Sequence, residues 1–390
     1  MSSMPGARRA LAVAALAATV AAGVVASAQA GSRPEPLRRV SGTDPVAVNG
    51  SFVSPLVERF GDVRVGRGVF VAGNTILRAD RYRRVCIGDE TNAQDNILIL
   101  ALADRRSVTG PRACARRSTA IGERTSVAHQ AQIVNSRVGD FAFIGFRARI
   151  ANSVIEDGAF VLHGTTIRGV TIKRDRLVPI GETITTQREA DALPRKGDPQ
   201  SDFQREVLEV NAEFAEGYTE IYREDGQPEV IGVSRSPRTE FNTGRAPTIG
   251  RNLRREPFAR IVGDVRLGAN ASVGRRTSIR ADEGAPITIG ADADIEDRVT
   301  FHALSGTSVT IGARLDTDDN VVFHGPLVVG DDLTIADEAI LFRAVVGDRV
   351  TMGDSSIVAG PADDPIDIRD GVTVPEGAVI TTQAQADALR

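Results

Sequence analysis

Two of the four histidines in the chain, His302 and His324, occupy matched places in a sequence repeat. Each follows a bulky apolar residue, Phe301 or Phe323, that fills the third slot of a six-residue repeat. Three such repeats form one coil of a parallel β-helix, about 18 residues long. The two histidines therefore lie on one edge of a prism, on successive coils about 4.8 Å apart. Two imidazoles placed in this way can share a metal ion, although a lone histidine at such an edge is more often solvated or hydrogen-bonded.

The apolar slots recur in both halves of the chain. In the second half they hold Leu267, Val273, Ile279, Ile289, Ile295, Phe301, Ile311, Thr317, Phe323, Val329, Ile335 and Leu341. In the first half they hold Val65, Val71, Leu77, Ile87, Ala93, Ile99, Ile121, Val127, Ile133, Val138, Ile144, Ile150, Ile155, Val161 and Ile167. The two series match apart from an insertion in the first half, around Ala103 to Ser118. The sequence therefore predicts a mainly β fold of two tandem parallel β-helices.

The remaining segments set the expected domain boundaries. Arg8 and Arg9, an apolar run and an Ala-Gln-Ala site predict a signal peptide over residues 1–30, and hence export, with a retained N-terminal anchor as the alternative. We expect the first domain over residues 31–235 and the second over residues 236–390. Apolar residues at helical spacing from Pro199 to Arg223 predict a helix that packs along a flat face of the first β-helix. The second half has no equivalent helix.

Charge and cysteine content narrow the functional classes. The net charge is −4 at pH 7, which gives no reason to expect binding to nucleic acid or to an anionic membrane. Cys86 and Cys114 are the only cysteines. Export permits a disulfide between them, and two free thiols are the alternative.

Both halves resemble γ-class carbonic anhydrases, which are left-handed β-helices of the hexapeptide-repeat superfamily. The resemblance covers essentially all of the chain after the signal peptide, and it supplies the handedness. The motifs that carry it are Ile76-Leu77-Arg78-Ala79-Asp80, Thr91-Asn92-Ala93-Gln94-Asp95, Ser126-Val127-Ala128-His129-Gln130-Ala131-Gln132, Phe143-Ile144-Gly145 and Val210-Asn211-Ala212-Glu213.

The resemblance implies trimeric packing of domains, with a metal ion held between neighbours by three histidines. The metal is usually Zn²⁺, with Fe²⁺ or Co²⁺ as alternatives. One domain supplies the first and third histidines, and the adjacent domain supplies the second. In the first half, Leu100 and Val134 stand at the first and third positions, so only His129 remains.

The second half has lost the complementary ligand. It keeps His302 and His324 but has Asp319 at the second position. We therefore expect a composite metal site in which His129 joins His302 and His324. A second-half site with Asp319 as the third ligand is the alternative.

The resemblance also assigns supporting roles. Glu283 matches the active-site glutamate of the family, and Gln94 and Asn92 match residues that orient water and substrate. His163 receives no role, because it lies two coils from His129, about 10 Å away at the usual strand spacing. Four residues match an ion-pair set between domains: Arg78, Asp80, Arg280 and Asp282.

These features predict an exported zinc-dependent carbonic anhydrase, a lyase that forms homo-oligomers with trimeric domain packing. In such an enzyme, metal-bound hydroxide converts CO₂ reversibly to bicarbonate. One alternative is a degenerate, metal-poor homologue that serves as an assembly scaffold. A hexapeptide acyltransferase is the third possibility, and it would share the coils but would not account for the motifs above.

Overall fold

The computed structural model describes residues 50–103 and 118–390. The predicted signal peptide and Cys114 lie outside these residues. Almost all regular structure is parallel β-sheet, built from short strands separated by tight turns. Many turns contain a residue with positive φ, such as Asn74 at 60° and Gln130 at 61°. This conformation lets each coil turn its corner within a few residues.

The first solenoid, residues 52–184, has three parallel faces, each strand pairing with its counterpart one coil away. Face A contains Phe52–Val53, Phe70–Val71, Asn92–Ala93, Ser126–Val127, Phe143–Ile144, Phe160–Val161 and Leu177–Val178. Face B contains Glu58–Phe60, Ile76–Ala79, Leu98–Ala101, Gln132–Val134, Arg149–Ala151, Thr166–Arg168 and Thr183–Ile184. Face C contains Val63–Val65, Arg84–Ile87, Ser118–Ile121, Arg137–Val138, Val154–Ile155 and Thr171–Ile172.

The second solenoid, residues 233–380, repeats this plan, and two of its strands run continuously around one corner. These two strands, Val322–Val329 and Ile340–Val346, belong to both face B′ and face C′. Face A′ contains Arg254–Arg255, Ser272–Val273, Asp294–Ile295, Asp316–Thr317, Thr334–Ile335, Thr351–Met352 and Thr373–Val374. Face B′ also contains Val233–Ser234, Arg260–Gly263, Ser278–Ala281, Thr300–Ala303, Ile357–Ala359 and Val379–Ile380. Face C′ also contains Thr248–Ile249, Val265–Leu267, Ile287–Ile289, Val309–Ile311 and Ile366–Ile368.

The described residues contain three α-helices: α1 (Gln187–Ala192), α2 (Asp198–Asp225) and α3 (Gln383–Asp387). A 3₁₀ helix over Gln227–Val230 follows α2, and an antiparallel hairpin of Arg238–Thr239 and Asn242–Thr243 comes after the first strand of the second solenoid. None of the helices in the described residues is long and apolar enough to cross a membrane. The helix predicted over residues 199–223 is present as α2, one to two residues longer at each end.

Helix α2 packs on face A of the first solenoid, as expected. Phe214 and Tyr218 on its inner side are fully buried against Phe52 and Phe70. This aromatic cluster also includes Val262 of the second solenoid. The helix therefore contacts both halves.

The interiors of both solenoids confirm the predicted fold, two left-handed parallel β-helices in tandem. The slot residues stack in buried columns, and the rings of Phe301 and Phe323 lie 4.5 Å apart and almost parallel. Cys86 is disulfide-bonded, and Cys114 is the other cysteine in the chain. The strand Val233–Ser234 already pairs within the second solenoid, just before the domain boundary expected from the sequence.

The two solenoids pack against each other, and face B′ provides much of the second solenoid's surface in this interface. In the apolar part of the interface, Phe143, Phe146 and Phe160 of the first solenoid pack against residues of the second that include Phe342 and Ile357. We call this contact the solenoid interface.

Polar side chains set the register of the solenoid interface. The Asn74 amide donates to the carbonyls of Phe258 and Arg276. At the corresponding turn of a later coil, the side-chain amide of Gln130 donates to the carbonyls of Arg298 and Val321 at 2.8 and 3.0 Å. These residues follow face A at matched turns, so their donors meet the turns of the second solenoid coil by coil. The fold thereby fixes which coil of one half faces which coil of the other.

Candidate metal centre

Strand pairing places His302 and His324 side by side. The strands Thr300–Ala303 and Val322–Val329 are parallel neighbours, and the two histidines are direct partners in that register. Both side chains lie at the solenoid interface rather than inside the coil, because the preceding phenylalanines point inward. His129 comes from the first solenoid, in the turn after Ser126–Val127.

The three imidazoles converge across the solenoid interface and are all buried. One ring nitrogen from each of His129, His302 and His324 lies within 4.8 Å of the others. His129 Nε2 and His302 Nδ1 are 3.3 Å apart. Two nitrogens bound to one tetrahedral zinc ion at 2.0–2.1 Å would be about 3.3–3.4 Å apart. The distance between His129 and His302 therefore matches that of two ligands on one zinc ion, and both solenoids contribute to the group of three histidines.

The second ring nitrogen of each histidine has a polar neighbour. His302 Nε2 donates to Asp282 Oδ1 at 3.1 Å, and His324 Nδ1 donates to the carbonyl of Gly325 at 3.1 Å. His129 Nδ1 accepts from the Asp95 backbone amide at 3.3 Å and lies 3.4 Å from Asp95 Oδ2. The protons on His302 Nε2 and His324 Nδ1 leave a lone pair on the nitrogen of each ring that faces the centre. Such partners fix the tautomer of metal-binding histidines and raise their affinity.

Arg280 connects the two carboxylates that hold the histidines. Its Nε donates to Asp95 Oδ2 at 2.8 Å, across the solenoid interface, and its Nη1 donates to Asp282 Oδ2 at 2.6 Å. Burial alone would raise the pKa of both carboxyls, but the Arg280 cation holds each pKa well below its usual range. The Tyr218 hydroxyl of α2 also donates to Asp282. Both carboxylates are therefore ionised at neutral pH and act as acceptors.

Burial keeps His129 and His324 neutral, as metal ligands must be. It lowers the pKa of His129 to about 4, and the pKa of His324 also lies well below its ordinary value for the same reason. These two imidazoles are consequently uncharged at neutral pH.

Glu283 borders the centre. Its Oε1 lies 3.4 Å from His302 Nε2, and burial raises the pKa of this carboxyl to about 7. Gln94 and Asn92 are buried in the first solenoid, on the coil that carries Asp95. Within the described residues, Gln94 Oε1 and Asn92 Oδ1 have no hydrogen-bond partner.

The other residues singled out from the sequence lie apart from the three histidines. Asp319 belongs to an acidic turn column, where its Oδ1 accepts from the Asp297 amide and its own amide donates to Asp337 Oδ1. Arg78 pairs with Asp80 inside the first solenoid, and these side chains remain 43% and 19% exposed. The Arg280–Asp282 pair, by contrast, spans the solenoid interface through Asp95.

Sequence reasoning missed the aromatic neighbours of the histidines. Phe146 stacks on His324 with ring centroids 4.7 Å apart, and its ring lies 4.2 Å from that of His163. Positions 129, 146 and 163 recur at equal spacing on successive coils, and this spacing was the available signal. The expected distance of two coils between His129 and His163 agrees with the intervening Phe146. His163 is not among the three converging histidines.

Comparison with known proteins adds several relatives. The chain is 32% identical over 197 residues to the carbonic anhydrase of Methanosarcina thermophila, covering 48% of this chain and 77% of that protein. It is 32% identical over 213 residues to the carboxysome assembly protein CcmM of a Nostoc species, covering 51% of this chain but only 38% of that protein. The mitochondrial gamma carbonic anhydrase 1 of Arabidopsis thaliana is 30% identical over 152 residues, which is 39% of this chain and 51% of that protein.

Two further comparisons are less informative. A hexapeptide transferase family protein from Anaplasma phagocytophilum, a solved structure, aligns with 44% of this chain and 90% of its own at 20% identity and a TM-score of 0.36. No protein-family model matches the chain.

Proposed function

Because the chain belongs to the γ-class carbonic anhydrase family, we propose that it hydrates CO₂ reversibly at a zinc ion bound by His129, His302 and His324. The observation that carries the proposal is the convergence of three buried imidazoles from two solenoids. Each half of the chain lacks a complete ligand set, and together they provide one. Bound zinc would act as a Lewis acid that lowers the pKa of a water molecule to about 7.

The residues around the centre would orient reactants and move protons. Glu283 has a pKa near neutrality, so its Oε1 can both accept and release a proton at physiological pH. Gln94 Oε1 and Asn92 Oδ1 have unused acceptor capacity among the described residues. They can accept hydrogen bonds from water or from the hydroxyl group of bicarbonate. Asp95 and Asp282 would hold two of the three imidazoles in the binding orientation.

The ligand set is tested by zinc content and by CO₂ hydration measured in stopped flow. Purified wild-type protein should contain one zinc ion per chain. We expect His129→Ala to lose the bound zinc and the activity, because only two imidazoles would remain. Asp319→Ala should keep both, because Asp319 hydrogen-bonds within its own acidic column.

The opposite pattern would reject the composite site. If Asp319→Ala removes the zinc while His129→Ala retains it, the second half binds metal alone. Zinc-free wild-type protein would leave the alternative function, an assembly scaffold. The similarity to a carboxysome assembly protein favours that alternative.

Our proposal also includes self-association and export. The partly exposed Arg78–Asp80 pair is the first-half counterpart of Arg280–Asp282, which binds an aspartate across the solenoid interface. This likeness supports a homo-oligomer in which another domain covers Arg78. Light scattering should give a mass above the 41.4 kDa of the full chain, and a monomer mass would refute this part. The signal-like segment over residues 1–30 supports export. Expression of the full chain tests this, because an exported protein should be secreted with this segment cleaved off.

A further inference from the structure

We propose that Phe146 is a positioning residue for the metal centre, and that it orients His324 by ring stacking. This inference rests on the proposed zinc site and adds a residue that acts through one of its ligands.

The three histidines differ in how they are held. Buried carboxylates face His129 and His302, with Asp95 Oδ2 at 3.4 Å and Asp282 Oδ1 at 3.1 Å. His324 Nδ1 instead donates to the carbonyl of Gly325, the next residue along its own strand. A carbonyl one residue away constrains the ring less than a carboxylate fixed by another element. The orientation of His324 must therefore depend more on packing.

Aromatic rings supply that packing. The ring of Phe146 lies 4.7 Å from the His324 ring at an interplanar angle of 25°, and Phe342 meets the same imidazole edge-on at 5.3 Å. Phe146 also stacks on His129, at 5.7 Å and 28°. Stacked and edge-to-face rings at these distances attract each other beyond simple burial. One phenylalanine of the first solenoid thus contacts a candidate ligand from each half.

Phe146 is itself held by His163. The two rings are 4.2 Å apart and nearly parallel, and the Phe146 backbone amide donates to His163 Nδ1 at 3.1 Å. His129, Phe146 and His163 form one column of the first solenoid, at the same turn of three successive coils. His302, His324 and Phe342 form a column of face B′, where they are direct partners in register. The two columns interdigitate, which leaves the His324 ring little room to rotate.

The test compares Phe146→Leu with a matched control, Phe160→Leu. Both phenylalanines are buried in the same apolar part of the solenoid interface. Phe160 stacks on Phe143 at 4.6 Å, and the described ring contacts pair it with no histidine. Leucine keeps most of the apolar volume at both sites but removes the planar ring. Loss of interface packing should therefore be similar in the two variants.

Zinc affinity is measured by competition with a chromophoric chelator, and folding by thermal unfolding of the same zinc-free samples. We expect Phe146→Leu to weaken zinc binding by about 10- to 100-fold, the usual effect of removing a residue that orients a metal ligand. Phe160→Leu should stay within about 3-fold of wild type. The absorption spectrum of bound Co²⁺ should change in Phe146→Leu and remain unchanged in Phe160→Leu.

Two results would overturn the inference: wild-type zinc affinity in Phe146→Leu, or an equal loss in both leucine variants. The second result would mean that interface packing alone governs the site. If wild-type protein binds zinc but does not hydrate CO₂, the proposed activity is wrong. The zinc affinities of the variants then still decide whether Phe146 is a positioning residue. Wild-type protein that binds no zinc would reject both.

Discussion

At the scale of single residues, one arginine keeps two buried carboxylates ionised. Arg280 lies between Asp95 and Asp282, and all three side chains are at most 2% exposed. An unpaired buried carboxylate would become protonated and could no longer accept an imidazole proton. The arrangement therefore connects the charge at the solenoid interface to the tautomer of His302.

The Tyr218 hydroxyl donates a further hydrogen bond to Asp282. Because it donates to an ionised, fully buried carboxylate, we expect Tyr218→Phe to lower the free energy of unfolding by about 1.5–3 kcal/mol. Urea denaturation at neutral pH measures this change. Tyr222→Phe, one turn further along α2 and only partly buried, is the control and should change stability little. Equal effects of the two substitutions would contradict the role assigned to the Tyr218 hydroxyl.

We expect the free energy of unfolding to depend on pH through Asp319. Burial raises its pKa from 3.8 to about 6; the hydrogen bond from the Asp297 amide opposes this shift, and the carboxylate charges of Asp297 and Asp337 add to it. The folded state therefore binds this proton more tightly than the unfolded state, so stability decreases as the pH rises from about 4 to about 6. We expect Asp319→Asn to raise the free energy of unfolding by about 1 kcal/mol at pH 7.5, after allowance for solvent screening.

Denaturant titrations of both proteins across this pH range check the prediction. The advantage of Asp319→Asn should shrink towards pH 4, where the wild-type carboxyl is protonated in both states. Asp316→Asn, an exposed neighbour, should show no such trend. A pH-independent difference would mean that Asp319 is stabilised or destabilised by something other than its charge.

At the scale of secondary-structure elements, the sequence predicted each solenoid well but could not predict how they meet. Inward-facing slots such as Leu77 and Phe301 follow from a local periodicity that needs no partner. Helix α2 followed from its apolar spacing in the same way. The environments of Phe146 and Tyr218 depend on contacts between elements far apart in sequence. Only the complementary loss of ligands, at Leu100 and Val134 in the first half and at Asp319 in the second, pointed to the composite pairing in advance.

The turn residue Gln130 tests how the register of the solenoid interface is set. Its amide donates to the carbonyls of Arg298 and Val321 and to the Thr300 hydroxyl. Gln130→Met keeps the side-chain length but removes these hydrogen bonds, including the one to the Arg298 carbonyl, so we expect a loss of about 1–3 kcal/mol in the free energy of unfolding. Zinc affinity should fall as well, because the turn that carries His129 would shift.

Calorimetry and chelator competition measure the two effects of Gln130→Met. Arg168→Met is a suitable control, since Arg168 is an exposed residue of face B. If Gln130→Met leaves both quantities unchanged, apolar packing alone sets the register.

At the scale of the whole molecule, a metal ion at the composite centre would join the two solenoids. A ligand that binds only the folded state adds stability that grows with its concentration, about 4 kcal/mol at 1,000 times its Kd. We expect removal of zinc with a chelator to lower the thermal midpoint of wild-type protein, and re-addition of zinc to restore it. His129→Ala should show no response to either treatment. Equal responses of the two proteins would show that the stabilising ion binds elsewhere.

One polypeptide carries both halves that supply the histidines. The histidines can therefore meet without the association of separate chains. The connection through α2 and the hairpin makes the meeting of His129 with His302 and His324 intramolecular. Tethered partners experience an effective concentration on the order of millimolar, whatever the bulk protein concentration. A centre shared between separate chains would dissociate on dilution, whereas this one is unimolecular. Its occupancy at high dilution would depend on the free metal concentration alone.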